Sequence, residues 1–204
     1  MVLTLPNTLS LLRIGLSPLF FALFISPDPI LRQLSLIVFF LAAMTDWYDG
    51  VLARNSNQIT NLGKFLDPLA DKFLTSAAFI AFAFIHSVEW WMVIIIIVRD
   101  IAITILRSIA EARNAPIVTS KSAQWKTFIQ MTVLYYLLLL IVGREIGWVK
   151  GSFLPAVNAL LDPVVVFSLM LAVTLLTLFT GVQYIYENRA FIAGVFRASR
   201  HATE

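Results

Sequence analysis

The chain of 204 residues contains no cysteine. Disulfides, thiolate metal sites, iron–sulfur clusters and a cysteine nucleophile are all excluded. Histidine is almost as scarce, with only His86 and His201 present, so a histidine-built metal centre is not expected. Charge is the third scarcity. Only 13% of the residues are charged, while 59% are apolar or aromatic and the mean hydropathy is +0.85; a soluble domain carries roughly 25% charged residues. So little polar surface cannot cover a water-exposed globule, and a membrane protein with no sizeable extramembrane domain is expected. The net charge of +3 and the pI near 9.4 then read as basic loops facing anionic lipid rather than as a nucleic-acid surface.

What is abundant is apolar sequence. Six stretches run approximately from Leu9 to Ile25, Leu34 to Thr45, Phe73 to Ile85, Trp90 to Ile109, Trp125 to Val142 and Pro163 to Ile185. They predict an all-α membrane protein: one bundle of six transmembrane helices formed by residues 1–204 as a single domain. The second and third stretches are too short to cross a bilayer unless their helices continue into the polar segment from Asp46 to Lys72. No basic region precedes the first apolar run and Arg13 sits inside it, so the start does not read as a cleaved signal peptide. Arg54, Lys64, Arg107, Arg113, Lys121, Lys126, Arg189, Arg197 and Arg200 fall on the side of the two termini, against Arg32, Arg144 and Lys150 on the other. This excess places both termini and the polar segment in the cytosol. With no targeting segment visible, the expected location is a bacterial plasma (inner) membrane. Trp90, Trp91, Trp125 and Trp148 near span ends read as interfacial anchors.

The polar segment holds four carboxylates, Asp46, Asp49, Asp67 and Asp71, within 26 residues. In helical register Asp46 and Asp49 share a face with Gly50, Ala53 and Arg54, and Gly63, Asp67 and Asp71 share another at intervals of four. Four acids crowded at one end of a membrane bundle repel one another unless something positive lies between them. With no sulfur or histidine ligand at hand, that counter-charge is a hard divalent cation, Mg²⁺ or Mn²⁺, in one or two copies. A solvated polar loop would explain the charges, but neither their shared faces nor the small residues Gly50, Ala53 and Gly63 beside them, which let a phosphorylated group approach the backbone.

The pattern Asp46-x-x-Asp49-Gly50-x-x-Ala53-Arg54, eight residues, then Gly63-x-x-x-Asp67-x-x-x-Asp71 resembles the complete signature of the CDP-alcohol phosphotransferases. Within that family the likeness is to the branch that uses glycerol 3-phosphate as acceptor. It extends through Leu5 to Arg13, Thr45 to Asp49, Asn61 to Lys72, Arg99 to Arg107, and Lys126-Thr127 with Gln130, about the first 130 residues; the last third is similar in hydropathy alone. The resemblance implies six membrane helices, a homodimer, two divalent ions per site and transfer of a phosphatidyl group from CDP-diacylglycerol to an alcohol with release of CMP. By the same resemblance Asp46, Asp49, Asp67 and Asp71 hold the metals and Asp71 is the general base. Gly50, Ala53, Arg54 and Gly63 border the cytidine diphosphate, with Arg54 on its phosphates or, alternatively, a simple cytosolic anchor. Asn7 and Ser10 match positions beside the nucleotide, although Asn7 is equally a good helix cap.

Arg99 and Asp100 interrupt an otherwise apolar span, where a charge costs roughly 2.5–3.5 kcal/mol by insertion scales, so both must face the bundle interior or a wet cavity. They either neutralise each other or contribute to function. Arg99, Arg107 and Lys126 form a candidate pocket for a dianionic phosphate, which favours sn-glycerol 3-phosphate over an uncharged acceptor such as serine or inositol. The branch's usual Gly-Lys pair before Lys-Thr is Ala123-Gln124 here, so one phosphate contact is missing and inositol phosphate, serine or phosphatidylglycerol stay open as acceptors. Membrane prenyltransferases also hold a lipid diphosphate through aspartates, but on two separated motifs. A cation transporter would carry its carboxylates at mid-membrane, whereas these four lie at the cytosolic edge and only Asp100 is deep.

Overall fold

Two Asp-Pro pairs begin long helices. Asp28 Oδ1 accepts from Ile30 N at 2.8 Å, and Asp162 Oδ1 accepts from Val164 N at 2.9 Å. Each carboxylate satisfies an amide that the first turn leaves without a partner, and the proline that follows has no N–H to orphan. The computed structural model describes residues 5–56, 61–112, 121–189 and 191–192, with the side chains of 5–7, 46–56, 61–67 and 112 outside that description. The helices are α1 (Leu5–Phe24), α2 (Pro29–Ser56), α3 (Asn61–Phe84), α4 (Trp90–Ala112), α5 (Lys121–Gly143), α6 (Gly147–Ser152), α7 (Leu154–Leu160) and α8 (Pro163–Glu187). No strand occurs among the described residues.

The fold is therefore all-α, and each of the six apolar stretches coincides with one long helix or, for the second and third, with part of one. Among the described residues α5 and α8 are long and apolar enough to cross a membrane unaided, while α1 and α2 hold shorter apolar runs, Thr8–Phe24 and Pro29–Thr45. Charges inside α3 and α4 interrupt their apolar character. As the short second and third stretches require, α2 continues to Ser56 and α3 begins at Asn61, so both carry helix well into the polar segment.

The six long helices close a ring in which α1 packs on α2 and α3, α3 on α4, α4 on α8, α8 on α5 and α5 back on α2. Aromatic side chains fill the half nearest α1. Phe20, Phe24, Phe39, Phe79 and Phe82 are each buried, with ring centroids 5.1 Å apart for Phe20–Phe39 and 5.5 Å for Phe24–Phe82. Such tilted and edge-on pairs contribute roughly 0.5–1.5 kcal/mol each beyond their burial. The outside of the ring is the reverse of a soluble surface: Leu11, Ile37, Val98, Phe128, Leu175 and Val182 all stand exposed. A continuous apolar exterior of this kind is what lipid covers, and the chain is associated with the membrane.

The short helices α6 and α7 are not evident in the apolar pattern, because six or seven residues are too few to display a helical period. They present Trp148 and Phe153 outward, with ring centroids 5.9 Å apart, and Tyr136 Oη on α5 donates to Leu160 O at 2.6 Å to hold α7 down. The exposed rings of Trp90, Trp91, Trp125 and Trp148 stand at or near helix ends, where an amphipathic ring suits an interface.

Candidate active site

Four residues separate α2 from α3, so the two helices turn back on each other. Asp46 lies ten residues before the end of α2 and Asp71 ten residues after the start of α3, each about 15 Å along its helix at 1.5 Å per residue. Asp49 and Asp67 lie about one turn nearer the connection. The side chains of Asp46, Asp49, Gly50, Ala53, Arg54, Gly63 and Asp67, and that of Asn7 on α1, lie outside the described residues; Ser10, also on α1, is fully buried.

From Asp71 onward the geometry is explicit. The Asp71 carboxylate is 38% exposed, open enough to meet a substrate, and its Oδ2 lies 3.6 Å from Lys72 Nζ. The same ammonium lies 3.9 Å from Asp100 Oδ2 on α4. That bridge links Asp71 on α3 to Asp100 on α4 through one ammonium group.

Asp100 is a hub. It is 5% exposed and receives Lys126 Nζ at 2.5 Å and Arg99 Nη1 at 3.1 Å on Oδ1, and Gln130 Nε2 at 3.0 Å on Oδ2. Arg99 reaches across to α8, where its Nη2 donates to Thr180 Oγ1 at 3.0 Å. Gly181 eases that crossing, since a Cβ there would lie 3.2 Å from Arg99 Cγ and the arginine stem would have to shift slightly. Lys126 is buried to 2% exposure behind Asp100, whereas Arg107 is half-exposed and pairs with Glu111 at 3.5 Å.

A cavity of about 560 Å³ opens between α3, α4, α5 and α8, and Asp71, Lys72, Arg99, Asp100, Arg107 and Tyr184 contribute its polar wall. Arg99 and Arg107 thus share one cavity with Asp71, while Lys126 stands behind its wall. A second space of about 550 Å³ lies between α1, α3 and α4 and is almost wholly apolar, lined by residues such as Ile14, Phe21, Phe73, Ile80, Ile97 and Ile101. Lys72 lines both. A pocket for something charged and water-soluble therefore joins a groove for something apolar at one ammonium group.

Sequence reasoning missed Lys72, Thr180, Gly181 and Tyr184. Lys72 follows Asp71 directly and could have been found from that adjacency. The three residues on α8 carry no local signal, because they act through a helix more than seventy residues away.

Among the described residues no three acids or histidines gather closely enough to hold a metal. The donors available at this end are carboxylate oxygens, with no cysteine in the chain and His86 at the far end of α3. Such a donor set fits a hard divalent cation.

The family of CDP-alcohol phosphatidyltransferases matches residues 3–196. The chain belongs to that family. This transferase is 38% identical over 147 residues to the CDP-diacylglycerol–glycerol-3-phosphate 3-phosphatidyltransferase of Bacillus subtilis (strain 168), which covers 66% of the chain and 76% of that relative. It is 33% identical over 194 residues to the protein of the same name from Salmonella typhimurium, covering 93% of the chain and 97% of the relative. A probable phosphatidylglycerophosphate synthase of Mycobacterium tuberculosis is 32% identical over 197 residues, covering 95% and 86%.

Proposed function

We propose that this transferase moves a phosphatidyl group from CDP-diacylglycerol to sn-glycerol 3-phosphate, giving phosphatidylglycerophosphate and CMP. The observation that carries the reading is the meeting of a cation-lined polar cavity with an apolar groove at Lys72, whose ammonium lies 3.6 Å from the Asp71 carboxylate. A lipid-linked donor needs the groove and a phosphorylated alcohol needs the cavity. The names of the relatives supply the two substrates.

Asp46, Asp49, Asp67 and Asp71 are proposed to hold two Mg²⁺ or Mn²⁺ ions. When bound, these ions neutralise the charge that grows on the departing CMP. Asp71 takes the proton of the attacking hydroxyl, its partly exposed carboxylate lying on the cavity wall. Asn7, Ser10, Gly50, Ala53, Arg54 and Gly63 border the cytidine diphosphate. Arg99 and Arg107 hold the acceptor phosphate through charge-assisted bonds. Lys126 reaches that phosphate only if its pair with Asp100 opens; otherwise it fixes Asp100, which fixes Arg99. We place this chemistry in one six-helix, multi-pass bundle, homodimeric in the plasma membrane, with the carboxylate end in the cytosol.

The test is CMP release by purified protein with CDP-diacylglycerol and Mg²⁺ or Mn²⁺. Turnover is expected with glycerol 3-phosphate. Stronger turnover with inositol phosphate, serine or phosphatidylglycerol would overturn the acceptor, and no CMP with any alcohol would overturn the enzymatic reading in favour of a transporter.

A further inference from the structure

At the end of the ring opposite the carboxylates, α3 closes on His86, the one described non-glycine residue with a left-handed backbone (φ 57°). His86 N donates to Ala83 O at 3.0 Å and Ser87 N to Phe82 O at 2.9 Å, the paired bonds of a helix end that glycine normally makes at least cost. A histidine kept where glycine would be less strained points to a use for its side chain.

Most of the acids at this end are already employed. Asp28 and Asp162 cap α2 and α8, while Glu89, just before the first turn of α4, lines the neighbouring groove. Glu145 takes Arg32 on one oxygen at 3.2 Å and Lys150 on the other at 3.1 Å. Arg32 is further held by Phe24 O and Ser26 O. Arg144 has no acid within ion-pair distance among the described residues, and it is exposed.

Arg144 and His86 line a cavity of about 340 Å³ together with Arg32 and Ser87. Against it lies a largely apolar groove of similar volume between the α3–α4 connection, α4 and α8, containing Met92, Phe167 and Met170; His86, Ser87, Pro163 and Val166 belong to both. A cationic socket continuous with an apolar groove matches a charged head joined to a hydrocarbon tail.

We infer that this end binds a membrane phospholipid from the leaflet opposite the carboxylates, its phosphate diester held by Arg144 and an imidazole N–H of His86 and one acyl chain lying in the groove. The charge-assisted bond from Arg144 supplies most of the selectivity, and His86 accepts backbone strain to aim its ring into the socket. Glu89 stands on the groove rim and would tolerate a headgroup ammonium. The site is about 22 Å along α3 from Asp71, fifteen residues away, so it is separate from the donor's place.

The test is native mass spectrometry of the full chain in detergent with phosphatidylglycerol, matched diacylglycerol or inorganic phosphate. One phospholipid is expected to be retained, with occupancy falling about tenfold in Arg144→Glu and in His86→Gly, the scale of one charge-assisted contact. CMP release should be unchanged in both variants, and His86→Gly should melt no lower than the parent because the strain is relieved. Equal retention by both variants, equal binding of diacylglycerol, or competition by inorganic phosphate at the lipid's own concentration would overturn the proposal. So would a shift in oligomeric state at unchanged lipid occupancy, which would make this face a contact between copies.

Discussion

Lys126 Nζ lies 2.5 Å from Asp100 Oδ1, joining α5 to α4 by two charges that are 1% and 5% exposed. Neither could be buried alone, and Arg99, Lys72 and Gln130 complete the shell around the same carboxylate. Removing one partner strands the others. Asp100→Leu should therefore destabilise the bundle by about 3–5 kcal/mol, and adding Lys126→Met should restore much of that loss. Thermal unfolding in detergent measures it; a single variant as stable as the double would show that the pair contributes no coupling. The double variant should still lose acceptor affinity, because Arg99 would lack its anchor.

Gly181 sets the position of Arg99 from the far side. Replacement by valine would push branched methyls onto the Arg99 stem, and the arginine, not α8, has the freedom to give way. The expected outcome is a KM for glycerol 3-phosphate raised about tenfold, or ~1.4 kcal/mol, with CDP-diacylglycerol binding unchanged. Steady-state kinetics with each substrate varied in turn distinguish this from a general loss of fold.

Asp71→Asn keeps the shape and removes the proton acceptor. Turnover should fall by about 10²–10⁴ while CDP-diacylglycerol binding persists. Binding is followed by retained lipid and turnover by released CMP; an active variant would remove Asp71 as the base.

Arg107 and Glu111 form an exposed pair one helical turn apart, at 53% and 57% side-chain exposure. Such pairs contribute at most about 0.5 kcal/mol, so Arg107→Ala should melt within a few degrees of the parent. Its acceptor KM should nevertheless rise several-fold, since the guanidinium lines the cavity. If stability falls and KM does not, Arg107 is a structural residue only.

The residues that could be read in the chain are those whose meaning is local. Asp46, Asp49, Asp67 and Asp71 announce themselves by spacing, and α2 and α3 had to be long because two short apolar runs flank them. Arg99 and Asp100 stand out as charges in apolar sequence. Asp100 as a hub for four side chains from three helices was not legible, and neither was the burial of Lys126 behind it, because each depends on which helices become neighbours.

Composition and spacing by themselves thus determined that the chain is helical, that it lives with lipid, and that its acids gather on two consecutive helices, since these follow from periods of a few residues and from a shortage of polar surface. The tertiary structure alone decided that α8 supplies Thr180 and Gly181 to seat Arg99, and that one ammonium, Lys72, stands where the polar cavity meets the apolar groove. The physical reason is the ring: helices distant in sequence become neighbours when it closes, and a buried charge can be satisfied only by whatever that closure brings within about 3 Å.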